Sequence, residues 1–206
     1  MLGGSHEWEP ECYRNRWIVS YVGGVGSHRG LDTALRGVAL AAEAVPELLL
    51  LIVGVNERSR VVLEREIALL GVSHLVELVD WQPFEKVREF IKYSDVALVP
   101  HNKSEHTQTT IPHKLFQYMI SERPVLVSSC RPLKRVVDDS GCGLVFDADN
   151  PQDFAQKLIV LNQDREAAEQ MGRNGREAAL GPYSWRHDAQ RLRDAYARLA
   201  PNKIIH

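Results

Sequence analysis

Thr110-Ile111-Pro112-His113-Lys114-Leu115-Phe116-Gln117-Tyr118-Met119, followed closely by Arg123-Pro124-Val125-Leu126-Val127-Ser128, is a helix that runs into a buried strand. Pro112 suits the first turn of a helix, where its missing N–H costs nothing, and Thr109 or Thr110 is placed to cap it. Leu115, Tyr118 and Met119 share an apolar face, and Val125–Ser128 carries the continuous apolar character of a strand covered on both sides. Lys114 and Gln117 lie three residues apart on another face, near the positive end of the helix dipole. Such a helix start can hold an anion and hydrogen-bond a hydroxylated ligand at one place.

Outward from this unit, strands and helices alternate. In the N-terminal direction the pattern predicts strands over Trp17–Val22, Leu48–Val53, Leu75–Val79 and Val96–Val99, with helices over Leu31–Glu43, Arg58–Leu70 and Phe84–Tyr93 between them. Gly54 reads as the close of the second strand and Gly71 as a helix terminator. Beyond the opening unit come a helix over Pro132–Asp138, a strand over Gly143–Phe146, and closing helices over Pro151–Leu161, Glu166–Ala179 and Trp185–Leu199. This alternation predicts an α/β fold, a doubly wound, Rossmann-like parallel sheet. Its ligand crevice lies at the carboxyl ends of the strands, where loops 23–30, 79–83 and 100–112 emerge. Residues 1–16 read as a leader or linker, 17–182 as one Rossmann-like domain, and 183–206 as a C-terminal helix and tail.

Composition narrows the function. The chain has 206 residues, 44% hydrophobic and 25% charged, with a net charge of −2, so an overall positive field for nucleic acid is absent and any anion site must be local. No apolar run approaches a membrane span, and Met1-Leu2-Gly3-Gly4-Ser5-His6 lacks a signal-peptide core. Cys12, Cys130 and Cys142 read as reduced thiols, which together with the absent signal predicts a cytoplasmic protein. His101, His106 and His113 stand five and seven residues apart, a spacing foreign to common metal sites, and no metal is expected.

The turn Gly23-Gly24-Val25-Gly26-Ser27-His28-Arg29-Gly30 offers backbone amides and one fixed cation for a phosphate. It has one residue too many for a dinucleotide fingerprint, and no acid follows the second strand to hold a ribose. A tight strand-to-helix connection is the plain alternative. For Lys114 and Gln117 the plain alternative is a solvated helix residue.

The order and spacing of these segments resemble the donor-binding, C-terminal domain of type-B retaining glycosyltransferases (GT-B), glycosyltransferase group 1 or family 4. Pro112-His113-Lys114-Leu115-Phe116-Gln117-Tyr118 is similar to that family's Pro-x-Lys-x-x-Glu-Tyr helix, and Arg123-Pro124-Val125-Leu126 to its Gly-x-Pro-Val strand. Tyr21 to Gly30 resembles the family's glycine loop with a basic residue before the last glycine. Val79-Asp80-Trp81-Gln82-Pro83, Tyr93 to Pro100, Val136 to Val145 and Tyr183-Ser184-Trp185 follow in the family's order. The resemblance covers about residues 17–199. It implies that Gly24, Gly26, Arg29 and Lys114 bind the donor diphosphate, that Gln117, Thr109, Glu105 and His106 face the ribose and sugar, and that Asp80 and Trp81 meet the base. Trp81 as a cap on the sheet remains the alternative. Gln117 stands where the family has a ribose-binding Glu, and the earlier Glu of its Glu-x7-Glu pattern falls on Thr109. No catalytic residue is legible.

The resemblance further implies a UDP- or GDP-sugar as donor substrate and no tightly bound metal cofactor. Its partners would be an N-terminal acceptor-binding domain, in cis or trans, and a peripheral membrane acceptor for the full enzyme; nucleic acid is not among them. With room for one domain, the chain reads as the donor half, inactive alone. Trp185, Leu192 and Tyr196 of the last helix would then be left uncovered. The alternatives are a nucleotide-binding module without catalysis, and an unrelated Rossmann-like domain.

Overall fold

A computed structural model describes residues 13–199. Six strands, β1 (Trp17–Val22), β2 (Leu48–Val55), β3 (Val76–Asp80), β4 (Val96–Val99), β5 (Val125–Ser128) and β6 (Gly143–Phe146), form one sheet in the order β3-β2-β1-β4-β5-β6, every pair parallel. The helices are α1 (Leu31–Ala41), α2 (Glu57–Leu70), α3 (Phe84–Tyr93), α4 (His113–Ile120), α5 (Arg131–Ser140), α6 (Pro151–Gln163), α7 (Arg165–Leu180) and α8 (Trp185–Leu199). The doubly wound, Rossmann-like expectation holds.

The pleat sorts the strand side chains onto two faces. Trp17, Val19 and Tyr21 of β1 pack with Leu48, Leu50 and Ile52 of β2 and with Leu35 and Val38 of α1, a layer that Phe154 and Leu158 of α6 complete. Ile18 and Val22 point the other way, toward Phe90, Leu115, Tyr118, Met119, Val127 and Leu133. Both faces are dry, which is why the strands read as continuous apolar runs and β1 and β5 are buried along their whole length.

Three local expectations are corrected. The helix bearing Lys114 starts at His113, with Pro112 as its N-cap and no side-chain cap. Thr109 and Thr110 instead turn their hydroxyls back, Thr109 onto the carbonyls of Glu105 and His106 and Thr110 onto that of His106, because residues 104–110 fold as their own turn. β2 does not close at Gly54. It continues to Val55 through a register shift, with Gly54 at φ +99°. The next helix then starts at Glu57, earlier than the sequence suggests, because Asn56 accepts from Ser59 N–H in a capping box.

Within the segment read as a linker, Arg16 is docked on the body. Its guanidinium donates to the carbonyls of Glu47, Leu48 (2.5 Å) and His74. Residues 1–12 and 200–206 lie outside the described residues. No side chain of α8 is buried, and Trp185 is 76% exposed, with Leu192, Tyr196 and Leu199 also in solvent. Among the described residues no helix is long and apolar enough to cross a membrane.

Candidate functional site

The strand order reverses between β1 and β4, so the loops that follow these two strands flank the switch point of the sheet. They touch through backbone. A Cβ on Gly30, at φ +66°, would stand 1.8 Å from the Pro100 carbonyl oxygen, and Asn102 N–H donates to the His28 carbonyl at 3.3 Å. On the β2 side, a Cβ on Gly54 would meet the Gly23 carbonyl at 2.9 Å. The glycine loop is thus clamped between β2 and the loop after β4.

Two tyrosines fix the end of β1. Tyr118, buried on α4, accepts the Val22 N–H at 2.9 Å and donates to the Val22 carbonyl at 3.3 Å. Burial raises its hydroxyl pKa well above the usual phenol range. Tyr21 donates to the Gly24 carbonyl at 2.7 Å, and burial pushes its pKa up to about 12, with Arg29 opposing. Both phenols stay neutral and act as struts for the loop.

Lys114 lies beneath this loop. Its Nζ sits 3.6 Å from the Tyr21 ring centroid, and a Cβ on Gly23 would come within 2.8 Å of it. The ammonium is buried and has no hydrogen-bond partner among the described residues. Burial, with Arg29 as the second cause, depresses its pKa to about 6. The solvated-residue alternative is therefore overturned. Arg29 closes the other side, its Nη1 3.0 Å from His101 Nε2. His101 is buried, and its pKa falls to about 3 through burial first and then the charges of Arg29, Lys114, His28 and His106. His28 and His106 stack edge-on with ring centroids 5.6 Å apart. His28 is likewise held below the usual histidine range by desolvation and by Arg29, His106 and Lys114.

The switch point thus gathers Arg29, Lys114 and His106 from the sequence-derived set. Gly24 and Gly26 are exposed on the glycine loop, with open space where a Gly24 side chain would stand. Gln117 is half-buried one turn beyond Lys114, and Glu105 and Thr109 are exposed in the loop after β4. Asp80 and Trp81 stand apart at the end of the edge strand β3, two strands from β1 and so roughly 10 Å away. The Asp80 carboxylate receives Arg60 at 2.8 Å. Trp81 is 74% exposed, so it does not cap the sheet.

The sequence reading missed His101, Tyr21 and Tyr118 as parts of the site. The available signal for His101 was its position directly after Pro100 at the end of β4; the sequence reading weighed it only as a metal ligand, set that aside, and gave it no other role. His113 is exposed on the first turn of α4, and among the described residues no group of three or more His, Cys, Asp or Glu is placed to hold a metal.

Known proteins share this fold. The chain is 27% identical to the D-inositol 3-phosphate glycosyltransferase of Nocardia farcinica over 186 residues, 87% of this chain and 40% of that protein. The Anabaena Alr3699/HepE structure in complex with UDP superposes with a TM-score of 0.77 at 14% identity, over 91% of this chain and 50% of that one. The C-terminal domain of the group 1 glycosyl transferase LpcC from Francisella tularensis superposes with a TM-score of 0.69 at 14% identity, over 82% of this chain and 86% of that domain. The chain spans less than half the length of the curated relatives it matches. Residues 6–178, which hold the whole switch-point cluster and nearly all of the sheet's packing, match the profile of one family, and the chain belongs to that family, glycosyl transferases group 1.

Proposed function

We propose that this chain is the donor-binding half of a retaining glycosyltransferase, which moves a sugar from a UDP- or GDP-sugar to an acceptor held by a second domain in cis or trans. One observation carries the reading: the Lys114 side-chain nitrogen is buried at the switch point over the Tyr21 ring, without a hydrogen-bond partner among the described residues, opposite Arg29. Burial disfavours the charge, so near neutral pH Lys114 is largely the amine, and a diphosphate seated between the two side chains would restore its proton and pair the resulting ammonium. As the bond between sugar and diphosphate breaks, negative charge grows on the diphosphate, where these two cations stand ready. The UDP bound by Alr3699/HepE and the stand-alone C-terminal domain of LpcC agree with this assignment. So does α8, whose uncovered Trp185, Leu192 and Tyr196 fit a helix that crosses to another domain.

UDP or GDP at millimolar concentration is expected to raise the Tm of the isolated chain, and NAD is not. The same Tm with all three would sink the donor-site reading. Arg29→Ala is expected to weaken UDP binding by about 1.5–3 kcal/mol, the range for a hydrogen bond to a charged group. Isothermal titration reads this directly, and unchanged affinity removes Arg29 from the site.

Gln117 favours a second reading, a nucleotide-binding module without catalysis, because a neutral amide stands where the resembled family has a carboxylate. Gln117→Glu is expected to widen the preference for UDP over 2′-deoxy-UDP, since a carboxylate accepts two hydroxyl hydrogen bonds with charge assistance. Equal discrimination by both proteins would show that position 117 does not touch the ribose. Transfer activity regained on addition of an acceptor domain separates the enzyme half from the inactive module.

A further inference from the structure

The contact between Arg29 Nη1 and His101 Nε2, at 3.0 Å, admits one assignment of protons. Arginine keeps its charge and has no acceptor, so the guanidinium donates and Nε2 accepts with its lone pair. The imidazole proton therefore sits on Nδ1. That atom is buried and has no hydrogen-bond partner among the described residues. A second proton would have to point from Nε2 at the guanidinium. The charged and titratable groups that act on His101 are Arg29, Lys114, His28 and His106, with no carboxylate among them, and they push its pKa down to about 3 together with burial. His101 is buried at the end of β4, while Arg29 rides on the loop after β1, so the contact joins the two sides of the switch point.

The choice of a histidine here has a chemical consequence. A carboxylate in its place would orient Arg29 equally well, but it would neutralise the guanidinium and compete with an incoming anion. A neutral imidazole orients the guanidinium and leaves its whole charge to the ligand. We propose that His101 is a positioning residue for nucleotide-diphosphate binding, a permanently neutral acceptor that aims the Arg29 guanidinium across the switch point without cancelling its charge. This rests on the donor-site reading given above, and it adds the demand that the acceptor be uncharged.

Two measurements test it. Side-chain ¹⁵N spectra of the unmodified protein are expected to show the His101 proton on Nδ1 and a bare Nε2, without titration between about pH 5 and 8, where an ordinary histidine changes charge. A proton on Nε2, or a titration in that range, overturns the proposal. UDP titrations of three variants then separate charge from geometry. His101→Gln, a neutral acceptor, is expected to hold the dissociation constant within about threefold of the parent protein. His101→Phe and His101→Glu are each expected to raise it about tenfold or more, the first by losing the acceptor and the second by cancelling the charge. UMP, without the second phosphate, is expected to respond less to all three. On an Arg29→Ala background the three variants are expected to bind UDP alike. His101→Glu binding as well as His101→Gln would overturn the need for neutrality, and His101→Phe binding as well as the parent would overturn the positioning role. If Arg29→Ala itself leaves UDP binding unchanged, Arg29 is removed from the site and the present proposal falls with it. If Arg29→Ala weakens binding while the His101 variants do not, only the present proposal falls.

Discussion

Lys114→Met is expected to raise the Tm of the nucleotide-free protein and, in the same variant, to abolish its stabilisation by UDP. In the unfolded chain the lysine titrates near its ordinary 10.5, and in the folded protein burial and Arg29 hold it at about 6. The unfolded state therefore binds more protons across this window. Stability rises as the pH climbs from about 6 to 10.5, and below pH 6 the full penalty of the buried charge applies. At pH 7 that penalty is on the order of 4 kcal/mol. Methionine keeps the length and most of the volume of the side chain, so no large cavity offsets the gain. For a chain of this size the gain corresponds to a Tm increase of roughly 8 °C or more. Melting curves of parent and variant from pH 6 to 10, with and without UDP, read both effects. The difference between the two proteins should shrink as the pH rises. A variant that melts no higher than its parent at pH 7 would refute the buried-cation argument. A variant that still responds fully to UDP would remove Lys114 from the site.

Gly30→Ala is expected to cost more than 3 kcal/mol, because it combines two penalties. The backbone is left-handed, at φ +66°, and the new methyl would lie 1.8 Å from the Pro100 carbonyl oxygen. Left-handed backbone alone costs an alanine about 1–2 kcal/mol, and the clash forces apart the loops after β1 and β4. Gly71 supplies the control. It has φ +70°, but a Cβ there meets nothing within 4 Å. Gly71→Ala should therefore show only the backbone term, about 1 kcal/mol. Urea unfolding of both variants separates the two contributions. Equal losses would mean that the loops part without cost.

The sheet was legible because its signals are local. Trp17–Val22, Val96–Val99 and Val125–Ser128 are short apolar runs rich in β-branched residues and bounded by Gly, Pro or polar residues, and their ends match the structure. Where contacts from distant residues decide, the pattern misled. Gly54 reads as a terminator, yet it is a glycine because the Gly23 backbone presses on it from the neighbouring strand. The hydroxyls of Thr109 and Thr110 have acceptors closer at hand than the helix after them. The site was partly legible. Arg29 and Lys114 stand out through their place in the resembled motifs, but nothing near Lys114 in sequence reveals that Tyr21 and Gly23 cover it. Spacing excluded His101 as a metal ligand and gave it no other role, because its pairing with Arg29 depends on β1 and β4 being neighbours. The exposure of Trp81 likewise follows from the edge position of β3, which topology sets and local sequence does not.

The place of β1 also bears on how the chain is made. This strand sits in the middle of the sheet, with β2 along one edge and β4 along the other, Val19 opposite Leu50 on one side and Val96 on the other. On a ribosome, β1, β2 and β3 emerge in the order in which they pair, so a three-stranded sheet can assemble while residues beyond 80 are still being added. Until residues 96–99 follow, the free border of that sheet is β1 itself, apolar on both faces and with its second row of N–H and C=O groups unmatched. A polypeptide that stalls between β3 and β4 therefore presents a strand that the finished fold buries along its whole length as a template for other chains.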